Sequence, residues 1–196
     1  MIAVVDYDTG NLRSVDNAFR RIGVEAVFTG DHSVIRSADR VLLPGVGEAS
    51  SAMAKLRERG LDTLVPTLTQ PVLGICIGMQ LMCRRSEEGE AECMGIFDTD
   101  VVRFAADKRG GVKVPHLGWN TVEELSGPLF DGIEAGTFFY FVHSFAPRLC
   151  PNTVARTWNG VPFSAALNRD NFYGTQFHPE KSGAAGEKLL ENFMKL

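Results

Sequence analysis

Cys76 is the residue whose surroundings most clearly suggest chemistry. It lies between two glycines in the run GICIG (residues 74–78), where an apolar strand is expected to turn directly into a helix. This is the nucleophile-elbow pattern with cysteine in the nucleophile position, and small neighbours allow the tight turn. A helix N-terminus favours the thiolate, and the backbone N–H of Ile77 would face a tetrahedral oxyanion. The pattern also fits a buried cysteine in an ordinary turn, so it does not decide alone.

A histidine and a glutamate near the end of the chain could complete such a site. His178 and Glu180 lie two residues apart in the run FHPE (residues 177–180), after a strand-like segment. Residues two apart in an extended segment project to the same side. A cysteine nucleophile needs a base, and the base needs an acceptor that orients it. The spacing indicates a triad with Cys76; the alternative is an exposed histidine beside a surface glutamate.

The run PGVG (residues 44–47) closes the third predicted strand and offers a second oxyanion donor. Two glycines leave the backbone free to turn an N–H group inward, so we expect Val46 or Gly47 to supply it. The same freedom would allow the peptide to rest with its carbonyl inward, which would leave the oxyanion hole incomplete. An ordinary turn after a strand is the alternative.

Alternating strands and helices over the first 85 residues must position these groups. The sequence predicts strands at 2–5, 25–29, 41–43 and 72–75 and helices at 12–22, 49–60 and about 77–85. Nearly continuous apolar strands that alternate with helices are typical of a mostly parallel sheet with helices on both faces.

The second half follows a different pattern. Strands are predicted at 101–102, 113–114, 137–145, 154–158 and 172–177, with a hairpin signal at Asn159-Gly160 and a last helix from about residue 184. The sequence therefore predicts an α/β fold, parallel at first and antiparallel or mixed later. With no linker, repeat or low-complexity tract, residues 1–196 are expected to form one domain.

Composition excludes several classes of protein. The chain has 196 residues, 44% apolar and 22% charged, with a net charge of −4. This argues against disorder and against a nucleic-acid binder, which needs a basic excess. The uncharged stretch 63–83 contains two prolines and reads as helix, strand and helix rather than a membrane span. No targeting segment is recognised at the start, and a soluble, cytoplasmic protein is expected.

The cysteines and histidines do not suggest a metal site. The four cysteines form no CxxC pair and show no ligand-type spacing with the four histidines. We expect reduced thiols, no metal and no cofactor, and we interpret His116 and His143 as structural.

Together these motifs resemble the class I, triad-type glutamine amidotransferases, with GICIGMQ (residues 74–80) similar to their nucleophile motif. Within that class the chain resembles the glutaminase subunits of imidazole glycerol phosphate synthase. The matching blocks run from the first strand to residue 183: DYDTGNLRSV, PGVG, PHLGWN, YFVHS and GTQFHPEKS. Asp8 departs from the family pattern, which usually has glycine there.

The resemblance implies the class I amidotransferase fold and the hydrolysis of glutamine to glutamate and ammonia. Cys76 would attack the side-chain amide, His178 would move the proton and Glu180 would orient the imidazole. The residues expected to bind the substrate glutamine are Gln80, Glu88, Ser144 and Phe145. For Glu88 a solvated charge run at 87–90 is the alternative.

The resemblance also implies a partner, because ammonia released into water is mostly protonated. That partner is a (β/α)₈-barrel cyclase subunit, in a heterodimer that makes imidazole glycerol phosphate and aminoimidazole carboxamide ribotide for histidine biosynthesis. Neither nucleic acid nor membrane is expected as a partner. The residues expected at the interface are Asn11, Pro115, Trp119, Asn120 and Lys181.

Three other functions remain open from the residues. The chain could feed ammonia to a different synthase, although the block around Trp119 argues against this. A thiol hydrolase of the esterase type could use the same elbow without a partner. A non-catalytic binding module could keep the fold, but an intact triad counts against that.

Overall fold

The computed structural model describes residues 1–8, 12–45, 47–105 and 112–196. The strands there are β1 (Ile2–Val5), β2 (Ala26–Thr29), β3 (Arg40–Leu43), β4 (Val72–Ile75), β5 (Arg85–Ser86), β6 (Ala91–Glu92), β7 (Asp100–Arg103), β8 (His116–Val122), β9 (Thr137–His143), β10 (Phe145–Pro147), β11 (Thr153–Trp158), β12 (Pro162–Arg169) and β13 (Phe172–Thr175). The α helices are α1 (Arg13–Arg21), α2 (His32–Ser37), α3 (Ala49–Glu58), α4 (Leu61–Leu64), α5 (Ile77–Leu81) and α6 (Gly183–Phe193).

A seven-stranded sheet in the order β11-β12-β13-β4-β3-β1-β2 forms the centre. The five strands from β13 to β2 are parallel to one another. At the other edge, β12 pairs antiparallel with β13, and β11 pairs antiparallel with β12. Strands β1 and β4 are buried along their whole length, as their continuous apolar runs predict. The helices pack in two groups, α1 with α6 and α3 with α4 and α5. This is the predicted mostly parallel sheet with antiparallel strands in the second half.

Two smaller sheets lie beside the central one. One has the order β10-β7-β5-β6, and the other is the antiparallel hairpin of β8 and β9. The hairpin pairs His116 with His143 and Trp119 with Tyr140. The Asn159-Gly160 signal is confirmed as the turn between β11 and β12, where Trp158 pairs with Pro162.

Four predicted elements differ from the structure, and one of them, the strand predicted at 172–177, ends at Thr175. The helix after Cys76 ends at Leu81 instead of Arg85, because Arg84 N–H bonds the Thr99 carbonyl and the chain enters the second sheet. Residues 113–114 do not form a strand, and β8 begins at His116. The predicted strand 137–145 is interrupted at Ser144, between β9 and β10.

Asp8 has a left-handed backbone, with φ of 63°, where glycine would be unstrained. Aspartate is one of the few side chains that adopt this conformation at modest cost. Its carboxylate pairs with Arg59, and its carbonyl accepts a hydrogen bond from Lys55. Asp8 therefore makes one contact with α3 and one with the residue that follows its C-terminal end.

Close approach of the backbone fixes α5 against the end of β3. A Cβ atom on Gly78 would lie 1.9 Å from the Leu43 carbonyl oxygen, and one on Gly45 would lie 2.3 Å from Gly78 N. Because backbone atoms form both contacts, no side-chain rotation could relieve them. The position of the turn that carries Cys76 therefore depends on these two glycines. None of the helices in the described part of the chain has the length and apolar character needed to cross a membrane.

Gly78→Ala is expected to lower the free energy of unfolding by about 3 kcal/mol, because the overpacked backbone must move. Gly23→Ala is the control: nothing lies within 4 Å of the added Cβ, and only the left-handed φ of 74° opposes it. That cost is about 1 kcal/mol. Urea denaturation of both variants measures the difference, and equal losses would contradict a structural role for the close approach.

Candidate active site

Cys76 lies on a strained turn between β4 and α5. Its backbone has φ of 52° and ψ of −110°, a conformation that a residue other than glycine rarely adopts. The Cys76 N–H donates to the Thr175 carbonyl at 2.7 Å, which continues the pairing of β4 with β13. The predicted elbow is therefore present, although the helix that follows is only 5 residues long.

A cavity of about 330 Å³ opens at Cys76 and collects most of the predicted site residues. Those that line it are Gly47, Cys76, Ile77, Gln80, Glu88, Pro115, Ser144, Phe145, His178 and Lys181. Glu180 lies outside this lining, and so do Trp119 and Asn120. Asn11 and Val46 lie outside the described residues.

His178 and Glu180 form a buried pair. His178 Nδ1 lies 2.7 Å from Glu180 Oε1, and the two residues are only 4% and 8% exposed. His178 N–H donates to the Tyr140 carbonyl, and Ser182 Oγ donates to the His178 carbonyl. The imidazole is therefore oriented by Glu180, and the backbone of His178 is held by its hydrogen bond to β9.

Two negative groups determine the charge of His178. Burial by itself lowers the pKa of His178, because a charged ring loses hydration. The negative Cys76 sulfur and the Glu180 carboxylate outweigh burial and raise that pKa to about 10. His178 Nε2 has no hydrogen-bond partner among the described residues, so the sulfur acts on the ring chiefly through charge. The protonated ring can deliver a proton into the cavity.

Two further predicted residues face the cavity in different states. Glu88 is half-buried, and its carboxylate accepts a hydrogen bond from Ala49 N–H at 3.1 Å. Desolvation raises the pKa of Glu88, with the Ala49 hydrogen bond acting in the opposite direction. Gln80 is buried, and its Oε1 has no hydrogen-bond partner among the described residues. Both residues therefore belong to the lining of the cavity that contains Cys76, and both carry side-chain oxygens that can accept hydrogen bonds.

The sequence did not identify Gln176 as a functional residue. It is fully buried, and its Nε2 donates to Cys76 Sγ at 3.6 Å. The only feature of the sequence that could have identified Gln176 is its position directly after β13 and two residues before His178. His143, interpreted as structural, also lines the cavity. In the residues that the structure describes, no cluster of three His, Cys, Asp or Glu side chains could hold a metal ion.

Of the predicted interface residues, Pro115 and Lys181 line the cavity, whereas Trp119 and Asn120 lie on the β8–β9 hairpin outside its lining. Trp119 is 55% exposed on the β8–β9 hairpin, and Pro115 is exposed just before it. Lys181 is exposed, with Nζ 5.9 Å from the Tyr140 ring centroid. Asn120 is half-buried and donates to the Trp158 carbonyl at 2.8 Å, so its side chain is engaged within the chain.

Cys76→Ala is expected to lower the pKa of His178 from about 10. The substitution removes a negative neighbour that raises the pKa, while burial continues to lower it. NMR titration of the histidine Cε1–H signals measures this change. The His116 signal is the internal reference, because burial lowers its pKa to about 4 whether or not the sulfur is present. The same His178 titration in both proteins would contradict the charge coupling.

Solved structures with the same fold include glutamine amidotransferases. One structure described by that name aligns with a TM-score of 0.75 at 18% identity, covering 100% of this chain and 98% of that one. A glutamine amidotransferase from Thermotoga maritima aligns with a TM-score of 0.65 at 17% identity, covering 99% of this chain and 82% of that one. These likenesses support the fold, and at such identities they support nothing more.

Sequence relatives are much closer. The chain is 56% identical over 195 residues to the imidazole glycerol phosphate synthase subunit HisH of Bacteroides thetaiotaomicron, covering 100% of this chain and 99% of that protein. It is 49% identical over 197 residues to the protein of the same name from Escherichia coli K12, with the same coverage. The family model for glutamine amidotransferase class-I matches residues 3–196. The chain therefore belongs to the glutamine amidotransferase class-I family and, within it, to the family of the imidazole glycerol phosphate synthase subunit HisH.

Proposed function

We propose that this chain hydrolyses glutamine to glutamate and ammonia with Cys76 as nucleophile, His178 as general acid and base, and Glu180 as the group that orients the imidazole. The buried 2.7 Å contact of His178 with Glu180, on a ring that opens into the same cavity as Cys76, carries this assignment. Membership of the HisH family gives the context: the chain is the glutaminase subunit of imidazole glycerol phosphate synthase, in histidine biosynthesis.

The reaction follows from the charges at the site. The Cys76 sulfur attacks the amide carbon of glutamine and forms a tetrahedral oxyanion. His178 gives its proton to the departing nitrogen, the C–N bond breaks, and ammonia leaves a thioester on Cys76. His178 then takes a proton from water, the hydroxide attacks the thioester, and the C–S bond breaks to release glutamate. Glu180 keeps the ring in one tautomer through both steps.

Backbone N–H groups are proposed to stabilise the oxyanion. Ile77 follows Cys76 and begins α5, and the first N–H groups of a helix lack partners within it. Gly47 lies on the cavity wall with φ of 98°. Val46 stays a sequence prediction for the same role. Loss of one such donor typically costs about 3 kcal/mol of transition-state stabilisation.

The substrate's α-groups are proposed to bind at the rest of the cavity wall. The ammonium group is matched by the half-buried Glu88 carboxylate and by the unpaired Oε1 of Gln80. The backbone at Ser144 and Phe145, between β9 and β10, is the proposed site for the carboxylate. A cavity of about 330 Å³ is within the size range of small-molecule sites.

A barrel-shaped cyclase subunit is the proposed partner, and the exposed face of the β8–β9 hairpin is its proposed contact. Leu117, Trp119 and Phe138 are 60%, 55% and 57% exposed on this face. Their cross-strand partners Val142, Tyr140 and Thr121 share it, and Val142 also lines the cavity. A contiguous apolar surface of this kind typically marks a protein interface. Ammonia formed at Cys76 would then leave toward the covering protein.

Pro115 and Lys181, which line the cavity, are proposed to extend this interface, and Asn120 and Asn11 stay predictions. We also propose that residues 1–196 act as one amidotransferase domain, which the participation of both halves in one central sheet supports. The cytoplasmic location and the absence of nucleic-acid or membrane partners remain predictions.

Glu180→Gln is expected to lower kcat for glutamine hydrolysis by about 10⁴-fold, because the amide lacks the carboxylate charge and can turn its NH₂ group toward Nδ1, which favours the wrong tautomer. Cys76→Ala is expected to lower the rate to background. Glu191→Gln, at an exposed glutamate of α6, is the matched control and should keep full activity. Glutamate release is measured in the presence of the cyclase and its ligand. Equal activity of the Glu180 and Glu191 variants would refute the triad.

Trp119→Ala is expected to weaken binding of the cyclase by about 30-fold, the size of a typical aromatic hot spot. Val27→Ala serves as control. Val27 is 39% exposed on β2, and β2 is the edge of the central sheet opposite to β11, the edge strand that contacts β8 of the hairpin. Isothermal titration calorimetry of both variants gives the comparison. If both bind as tightly as the natural chain, the hairpin face is not the interface.

A further inference from the structure

The Cys76 sulfur has a hydrogen-bond donor that belongs to no member of the triad. Gln176 Nε2 lies 3.6 Å from Cys76 Sγ, inside the protein and fully buried. An N–H group directed at sulfur favours the negatively charged form. An amide side chain also carries an oxygen of similar size, however, and the opposite orientation would set an acceptor against the sulfur. The effect of Gln176 therefore depends on what fixes its orientation.

Gln80 fixes it. Gln80 Nε2 donates one hydrogen to the Phe145 carbonyl and the other to Gln176 Oε1, each at 2.9 Å. Because a carbonyl can only accept, the nitrogen of Gln80 must face Phe145. Both of its hydrogens are then used, and the atom of Gln176 that receives the second must be oxygen. The nitrogen of Gln176 is left to face Cys76.

The Phe145 carbonyl is held in place by a second donor. His143 Nδ1 lies 2.8 Å from this oxygen and therefore carries a hydrogen. His143 Nε2 then accepts from His116 Nδ1 at 2.9 Å, and His116 Nε2 accepts from Asn120 Nδ2 at 3.1 Å. Asn120 is oriented in turn by the Trp158 carbonyl, to which its Nδ2 donates. From the Phe145 carbonyl to the Trp158 carbonyl, every N–H group in this series of hydrogen bonds therefore donates to an acceptor.

The charge state of the two histidines agrees with that direction. A second hydrogen on either ring would meet another N–H group, and the rings pack against Phe104, Phe141 and Phe163. Burial accordingly lowers the pKa of His143 to about 3 and that of His116 to about 4. Both rings are therefore neutral at neutral pH, and the hydrogen bonds of the series keep the same donor-to-acceptor direction there.

We propose that Gln176 holds the Cys76 sulfur as a thiolate, and that Gln80 acts as a positioning residue that keeps the Gln176 amide in the donating orientation. The proposal rests on Cys76 being the nucleophile of the proposed function. It adds to the triad a second means of stabilising the negative sulfur, and it gives Gln80 Nε2 the task of orienting Gln176.

The test is the pH dependence of Cys76 alkylation by iodoacetamide in the full chain, followed on the Cys76 peptide by mass spectrometry. Gln176→Met keeps the length of the side chain and removes its donor, so the inflection should move up by about one pH unit. Gln80→Met should move it in the same direction by freeing the Gln176 amide. The other charged groups at the cavity (His178 with Glu180, Glu88 and Lys181) are unchanged in both variants.

The double variant tests whether Gln80 acts through Gln176. If it does, Gln80→Met adds nothing once Gln176 is methionine, and the double variant matches Gln176→Met. Gln80→Met alone still decides the matter if the Gln176 variant does not fold. An unmoved inflection in a folded single variant, or a double shift equal to the sum of the two, would overturn the proposal. Because alkylation needs no glutamine, a chain that releases no glutamate but shows the expected shifts would refute the reaction alone.

Discussion

The parallel pairing of β4 with β13 is the contact on which the site depends. It joins segments about one hundred residues apart, and the bond from Cys76 N–H to the Thr175 carbonyl extends it by one residue beyond β4. That bond holds the nucleophile next to the segment that supplies both Gln176 and His178. The tight packing of Gly45 and Gly78 then sets α5 against the end of β3. The turn, the base and the amide are thus positioned by backbone contacts.

Three buried histidines of this small region have different charge states. His178 faces the negative sulfur and the Glu180 carboxylate, and its pKa rises to about 10. His116 and His143 face aromatic rings and each other, and they remain neutral. The charged His178 ring can therefore take part in proton transfer while His116 and His143 stay neutral. Desolvation is common to all three, and the neighbouring charge decides the result.

The sequence predicted the parts of this arrangement that depend on residue type. Continuous apolar runs identified β1, β3 and β4, and the glycines around Cys76 identified the elbow. The end of α5 was missed because the competing hydrogen bond is to the carbonyl of Thr99, which directly precedes β7 of the second sheet. Gln176 was missed because its role depends on orientation, which is set by the Phe145 carbonyl, a main-chain atom with no sequence signature. The exposure of Trp119 likewise depends on which face of the β8–β9 hairpin packs against the rest of the chain, and tertiary packing alone decides that.

The exposed hairpin face also bears on how the protein must be produced. Leu117, Trp119 and Phe138 form an apolar surface on a chain whose net charge of −4 provides little electrostatic repulsion between copies. Copies made in excess of the proposed partner would meet each other through this surface. The proposed interface therefore implies that matched synthesis of the two subunits would keep this chain dispersed.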